Sequence, residues 1–72
     1  SMYLKFTAKD GTVVRVPSQQ LAGMGMSDYG YCVNCGNEQA AEPDAQNYRC
    51  EACDHRAVNG TEILLIAGVF DG

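Results

Sequence analysis

Cys32-Val33-Asn34-Cys35 and Cys50-Glu51-Ala52-Cys53 are the two stretches that decide the fold of this chain. They are two Cys-x2-Cys pairs, separated by fourteen residues, and they contain all four cysteines of the sequence. Each pair places two sulfurs on one side of a tight turn, and two such turns can bring four thiolates to tetrahedral corners about 2.3 Å from a metal ion. The spacing lies near a known zinc pattern. We therefore predict a four-cysteine site for structural Zn²⁺, with Cys32, Cys35, Cys50 and Cys53 as ligands.

The length of the chain supports a metal. A domain of 72 residues buries little apolar surface, so chains of this size usually need a metal, disulfides or a partner to fold. A structural zinc ion supplies about 10–16 kcal/mol of apparent binding free energy coupled to folding, more than the stability expected of so small a core. We expect one domain over residues 2–72.

Disulfides are the alternative use of the cysteines. No apolar signal segment opens the sequence, and Ser1 before Met2 resembles a residue left by tag removal. The longest apolar run, Ile63 to Ala67, is too short to span a bilayer. These features favour a cytoplasmic protein with no membrane segment, in a reducing compartment where thiolates bind metal.

Charge is distributed unevenly along the chain. Residues 1–30 carry three basic and two acidic side chains, whereas residues 31–72 carry two basic and seven acidic ones. A Zn²⁺ ion held by four thiolates would make the second part still more negative. Because affinity for nucleic acid comes largely from Lys and Arg, this balance disfavours nucleic acid as the partner of the cysteine-containing half.

Residues 2–17 are predicted to form an N-terminal β-hairpin. Apolar and polar residues alternate over residues 3–8, and residues 12–16 are rich in β-branched side chains. Asp10-Gly11 between them is a strong turn signal, and Pro17 should end the second strand. The expected buried face consists of Leu4, Phe6, Val14 and Val16.

Residues 18–30 are predicted to be a connector. Ser18 could cap a single helical turn. The glycine-rich segment 23–30 favours no regular element, and Met24 and Met26 within it could pack or face a partner.

In the segment from residue 31 to residue 58, Gly36 follows the first cysteine pair where the chain must turn sharply. Asp54 holds the same place after the second pair, and Asp tolerates the left-handed conformation comparatively well. Pro43-Asp44 marks a turn, and Tyr48 leads back as a strand.

Residues 61–70 form an aliphatic C-terminal segment. Thr61 as N-cap, Glu62 in the first turn and Gly68 at the end favour a short helix, although a buried strand is the alternative because the run is short. Asn59-Gly60 is expected to form a turn before it. Most of its aliphatic side chains are expected in the core, and a partner-binding face is the alternative.

Residues 31–58, from Tyr-Cys-x2-Cys-Gly to Tyr-Arg-Cys-x2-Cys-x-His-Arg, resemble the zinc-ribbon (rubredoxin-like) family. The resemblance covers about 28 of 72 residues, including the aromatic residue before each pair. It implies a small metal-bound β-rich fold: the N-terminal hairpin, a four-cysteine zinc ribbon and a short C-terminal helix. The flanking segments faintly resemble small phage or bacterial zinc-ribbon proteins. Zinc ribbons serve transcription, translation, replication and scaffolding, so the family is specific for metal and fold rather than for function.

Several residues have both a structural and a functional interpretation. His55 is expected to be exposed or to donate to a sulfur, because four cysteines already complete the ligand set. Tyr29, Tyr31 and Tyr48 could stack on bases, but Tyr31 and Tyr48 are expected to pack around the metal turns. Three basic side chains on the hairpin make too thin a stripe for a nucleic-acid footprint; they are Lys5, Lys9 and Arg15.

A closed four-cysteine site has no open coordination position, so we expect no enzyme activity. The favoured function is a protein-interaction module, whose partners could include a nucleic-acid-processing machine that it regulates. Two alternatives remain open. One is a nucleic-acid-binding zinc ribbon of the transcription or replication type, and the other is a rubredoxin-like iron electron carrier. The partner's identity and the oligomeric state lie beyond the sequence.

Overall fold

The computed structural model describes residues 3–18 and 28–71. They form two antiparallel sheets: a hairpin of β1 and β2, and a four-stranded sheet in the order β4-β3-β6-β5, followed by one short helix. In the part of the chain described, no helix is long and apolar enough to cross a membrane. The elements are β1 (Tyr3–Thr7), β2 (Val13–Pro17), β3 (Tyr29–Cys32), β4 (Glu38–Ala40), β5 (Tyr48–Arg49), β6 (Arg56–Gly60) and α1 (Thr61–Ala67).

The predicted hairpin is confirmed, with a three-residue loop rather than a two-residue one. The backbone N–H of Ala8 donates to Thr12 O at 2.7 Å, and that of Gly11 donates to Ala8 O at 3.0 Å. Gly11 has a φ of 96°, so it takes the left-handed position that three-residue hairpin loops favour. The Asp10 carboxylate accepts the Thr12 N–H at 2.9 Å, which fixes the loop.

One core cluster lies between the hairpin, β3 and α1. Phe6, Val14 and Val16 are buried as predicted, and Leu4 packs against them partly buried. The remaining buried members of the cluster are Ala8, Tyr31 and Leu64. The hairpin is therefore joined to the four-stranded sheet through a shared core.

The predicted connector overlaps with a strand at its C-terminal end. Residues 19–27, which include the expected helical turn after Ser18 and both methionines, lie outside the described residues. β3, however, begins at Tyr29, and Gly30 pairs with Gly60 of β6. A Cβ on Gly30 would lie 2.7 Å from Asn59 O, so this glycine serves close strand pairing rather than flexibility.

The turn expected at Asn59-Gly60 is wrong, because both residues belong to β6. Asn59 uses its side chain to accept the backbone N–H of Asn47 at 3.0 Å. Gly60 is extended, with φ −72° and ψ 167°, and a Cβ there would lie 2.1 Å from Glu42 O. The asparagine and glycine are therefore needed for side-chain bonding and for space, not for a turn.

The helix prediction is confirmed, but its cap differs. Gly60, not Thr61, is the N-cap and makes no side-chain cap bond, while Thr61 is buried as the first helical residue. The backbone N–H groups of Glu62 and Ile63 donate to Pro43 O at 3.0 and 3.4 Å. A carbonyl from a distant turn thus accepts hydrogen bonds from the N–H groups of Glu62 and Ile63 near the start of the helix. The sequence of the helix alone could not predict this contact. Gly68 ends the helix with a φ of 71°, as predicted.

The expected burial of the aliphatic segment is confirmed only in part. Leu64 is 1% exposed, but Leu65 is 40% and Ile66 is 77% exposed. A helix of seven residues that packs on one side can direct only about a third of its side chains inward. Leu64, Val69 and Phe70 consequently lie in or against the core, whereas residues 65–67 are exposed.

Candidate metal centre

The structure brings the four cysteines together in one cluster. Cys32 ends β3 and Cys50 follows β5, so the four-stranded sheet positions the first cysteine of each pair, and Cys35 and Cys53 lie in the turns that follow. Their four sulfurs all lie within 4.8 Å of one another. All four thiols are free, with the first cysteine of each pair buried and the second partly exposed. Every predicted ligand is therefore in the cluster.

The spacing of the sulfurs fits one tetrahedral ion. Cys32 Sγ lies 3.7 Å from Cys53 Sγ, and Cys35 Sγ lies 3.6 Å from Cys50 Sγ. A metal bound to four sulfurs at about 2.3 Å requires sulfur–sulfur distances of about 3.8 Å, whereas a disulfide requires about 2.05 Å. The geometry thus suits a metal and not a disulfide.

The two turns, which we call the first knuckle (residues 32–36) and the second knuckle (residues 50–54), have the same backbone hydrogen bonds. Cys32 Sγ accepts the backbone N–H groups of Asn34 and Cys35 at 3.3 and 3.4 Å. Cys50 Sγ accepts those of Ala52 and Cys53 at the same two distances. Donors aimed at sulfur favour the thiolate, which is the form that binds metal.

Each knuckle closes with a residue in the left-handed conformation, as the sequence predicted. Gly36 has a φ of 83° and Asp54 a φ of 71°. Their N–H groups donate to Cys32 O and Cys50 O at 2.8 and 2.9 Å. These bonds bring the chain back toward the sulfurs at both turns.

Asn34 connects the two knuckles, a role that sequence reasoning missed. Its side-chain Nδ2 lies 3.5 Å from Cys53 Sγ and 3.3 Å from His55 Nδ1. This amide is the main cause that lowers the pKa of Cys53 to about 6, followed by the backbone N–H of His55. Asparagine between two paired cysteines was the available signal, since a short amide side chain there can reach a sulfur across the cluster.

Burial and the neighbouring thiols oppose ionisation of Cys35 within the cluster. The backbone N–H of Asn37 favours the Cys35 thiolate, but burial and the neighbouring Cys50, Cys53 and Cys32 thiols outweigh it and raise the pKa of Cys35 to about 12. Four thiolates packed this closely repel one another, and a divalent ion removes that repulsion. The donor set therefore fits a thiophilic metal such as zinc or iron.

The N-terminal hairpin covers the first knuckle. The backbone N–H groups of Lys9 and Asp10 donate to Val33 O and Asn34 O at 2.9 and 3.0 Å. A Cβ on Gly36 would lie 2.8 Å from Val14 Cγ2. The first knuckle is therefore held by the hairpin as well as by the four-stranded sheet.

The second knuckle is held by side chains at an open surface. Gln39 Oε1 accepts the Glu51 N–H at 2.9 Å, and Gln39 Nε2 donates to Arg49 O at 3.1 Å. Arg49 also forms an ion pair with Asp54, both side chains being exposed. No hairpin contact like that of the first knuckle is described for these residues.

His55 and the tyrosines lie outside the cluster of ligands. His55 is exposed, as expected, with Nδ1 at 3.1 Å from Cys53 O. Tyr31 is buried against the hairpin core rather than the sulfurs and donates to Glu38 Oε2 at 2.7 Å. Tyr48 is 41% exposed and donates to Glu42 Oε1. The expected packing of Tyr48 around the metal turns is wrong, because a neighbouring carboxylate holds its hydroxyl at the surface.

Comparisons with known proteins add no family to these observations. No protein-family model, curated protein or solved structure matches the chain. What the centre itself can do is bind one metal ion through four sulfurs, which joins the two knuckles covalently through the ion. Its function must follow from that chemistry and from the surfaces around it.

Proposed function

We propose that this chain is a zinc-ribbon protein of the cytoplasm, in which a structural Zn²⁺ ion stabilises a small protein-interaction module. The observation that carries the proposal is the cluster of four cysteine sulfurs within 4.8 Å of one another. When bound there, zinc supplies a fourfold cross-link between two turns of the sheet and the corresponding folding free energy.

The proposed module is not an enzyme, since Cys32, Cys35, Cys50 and Cys53 would fill every tetrahedral position of the ion. Catalytic zinc keeps one position for water or substrate. Zinc is preferred over iron because a structural role needs no change of oxidation state, while both ions accept four thiolates.

The charge of residues 31–58 favours a protein partner with a basic surface. Two exposed basic side chains, Arg49 and Arg56, lie in this region, and Arg49 is paired with Asp54. The exposed acidic side chains outnumber them; they are Glu38, Glu42, Asp44, Glu51 and Asp54. A phosphate backbone would be repelled by this surface, whereas Lys and Arg side chains of a protein would be attracted. Such a partner can be a nucleic-acid-processing protein whose basic groove this domain contacts and regulates.

Two measurements test this proposal. Elemental analysis combined with native mass spectrometry should give one zinc per chain, and a colourless protein should result. A red protein with a reversible one-electron reduction would instead support the rubredoxin-like carrier. The zinc-loaded chain should also retain a protein from cell extract treated with nuclease; retention of none would refute the interaction module.

Nucleic-acid binding is a second candidate, favoured by one observation on the hairpin. Lys5 and Arg15 are cross-strand partners at exposed positions, and the Arg15 guanidinium lies 5.7 Å from the Tyr3 ring centroid. Like charges directly opposite each other destabilise a hairpin, and an anionic ligand would relieve the repulsion. This candidate predicts a salt-sensitive mobility shift of labelled single-stranded DNA or RNA that Lys5→Glu abolishes and Glu51→Gln preserves.

A further inference from the structure

We propose that the outer face of α1 is the surface through which this chain binds its partner, and that the partner presents an apolar pocket rimmed by Lys and Arg. This inference rests on the proposed function as an interaction module and locates its binding surface. We call this surface the aliphatic face; it consists of Ile63, Ile66 and Ala67.

The aliphatic face is contiguous. Ile66 and Ala67 are exposed, and Ile63 is partly exposed. Ile63 lies three and four positions before Ile66 and Ala67, so these side chains share one side of the helix. Single apolar residues at a surface are ordinary, but a cluster that includes an isoleucine 77% exposed is typical of an interaction site.

The helix that carries this face is held rigidly. Leu64 anchors α1 in the core at 1% exposure, and Val69 and Phe70 pack against the same cluster. The Phe70 ring meets Phe6 edge to face at 5.7 Å, and the Asp71 N–H donates to Lys5 O at 2.7 Å. The packing around α1 therefore fixes the orientation of the helix and keeps Ile66 exposed. A face that is preorganised in this way loses little conformational entropy on binding.

Charge around the aliphatic face identifies the kind of partner. Glu62 lies one turn before Ile66, and the Pro43 carbonyl that accepts its N–H is flanked by exposed Glu42 and Asp44. The last turn of α1 has no basic residue of its own, and exposed Asp71 follows, paired with Lys5 of β1 in an antiparallel bridge. The acidic border therefore lies at the N-terminal end of α1, where it attracts Lys or Arg of a partner.

The same charges argue against the other occupants of an apolar face. The chain has a formal net charge of −4, which opposes self-association and opposes binding to anionic lipid. A basic protein surface is the occupant that these charges favour.

The test uses the zinc-loaded full chain, labelled with ¹⁵N, and three synthetic helical peptides. The peptides share one leucine stripe and differ only in their flanking residues, which are Lys, Gln or Glu. We expect the Lys peptide to shift the amide signals of residues 62–69, to bind more weakly as salt increases, and to bind more tightly than the Gln and Glu peptides. Ile66→Ser should weaken this binding about tenfold or more. Val13→Ser, which alters a residue 46% exposed on the hairpin, should leave it unchanged.

Four results would overturn the inference. The first two are equal binding of the Lys and Glu peptides, and no binding of any peptide. The third is a set of amide shifts confined to the open acid-lined groove of about 330 Å³ beside Asp28, Glu42 and Tyr48. The fourth is self-association of the chain, or its binding to phosphatidylglycerol vesicles, that Ile66→Ser removes. Retention of the same extract proteins by Ile66→Ser and by the unaltered chain would also overturn it while leaving the interaction module intact. Retention of none by the unaltered chain would refute the module itself.

Discussion

The two knuckles have the same turn in different surroundings. Both place two backbone N–H groups on their first sulfur, at 3.3 and 3.4 Å, and both end in a left-handed residue. The first knuckle lies under the hairpin, with Gly36 close to Val14, whereas the second is open and ends in exposed Asp54. The Cys-x2-Cys pattern therefore determines the turn, while the neighbouring chain determines which residues the turn can accept.

A second difference lies in the residue before the last cysteine of each pair. Asn34 in the first knuckle reaches across the cluster to Cys53 Sγ at 3.5 Å, and its counterpart in the second knuckle is Ala52, which has no polar side chain. The first knuckle therefore donates a side-chain hydrogen bond to a sulfur of the second knuckle, and Ala52 cannot return one. Substitutions at matched positions should separate the contribution of the turn from that of its surroundings.

The largest expected effect follows from loss of a cysteine ligand. This loss should be equally damaging in the first and in the second knuckle. Cys32→Ala and Cys50→Ala should each unfold the chain, because the proposed ion would join both turns and supply about 10–16 kcal/mol. Circular dichroism and bound zinc should fall together in both variants. A Cys50→Ala variant that keeps its zinc and its amide dispersion would contradict a shared ion.

The next effect comes from exchanging the closing residues. Gly36→Asp should lower the free energy of unfolding by about 2–4 kcal/mol, because it adds left-handed strain and a Cβ only 2.8 Å from Val14 Cγ2. Chemical denaturation of the zinc-loaded variant measures this loss. If Gly36→Asp costs no more than Asp54→Gly, the hairpin does not restrict the first knuckle.

Asn34→Ala should have a moderate effect. It removes the amide donor to Cys53 and should cost about 1 kcal/mol and weaken zinc binding about tenfold or more. Competition with a chelator measures the affinity. Ala52→Ser is the matched control in the second knuckle and should leave the affinity unchanged; a loss equal to that of Asn34→Ala would argue against a directed connection.

Asp54→Gly should change stability by less than about 1 kcal/mol. Glycine relieves left-handed strain, but the substitution removes an exposed ion pair with Arg49, which contributes about 0.2–1 kcal/mol. The two effects oppose each other. Thermal unfolding of Asp54→Gly and of Gly36→Asp, measured side by side, would show whether the second knuckle tolerates substitution better than the first.

The smallest effect concerns the hairpin loop over the first knuckle. The backbone N–H of Thr12, followed by its side chain, holds the pKa of Asp10 below its usual value. Because the folded pKa is lowered, this stabilisation is fully present above the unfolded pKa of about 3.9 and is lost as the pH falls through the folded pKa. Asp10→Ala should therefore lower Tm slightly and by the same amount from pH 5.5 to pH 8. A deficit that varies across this range would assign the effect to another group.

Much of the fold could be predicted from local sequence. The alternation around Phe6 and Val14, the left-handed positions at Gly36, Asp54 and Gly68, and the four ligands all follow from rules that act within a few residues. Such features need no knowledge of distant contacts. The four cysteines that form the cluster were accordingly all predicted, but the hydrogen-bond partners of their sulfurs were not.

The predictions that were wrong concern residues whose roles depend on contacts between distant parts of the chain. The roles of Gly30 and Gly60 come from backbone atoms of other segments, and the Pro43 carbonyl replaces the cap expected from Thr61. Asn34 gains its role only when the two knuckles meet. Rules based on local sequence do not take account of contacts with residues that are distant along the chain.

By itself, the sequence determined that four cysteines in two tight turns would come together in one cluster, because spacing within each pair fixes where the sulfurs point. The tertiary structure decided the rest. It placed the hairpin over only one knuckle and left Ile66 exposed on a helix that the sequence suggested was core. Burial is a property of what packs against a side chain, and in so small a domain the described residues leave residues 65–67 of α1 exposed.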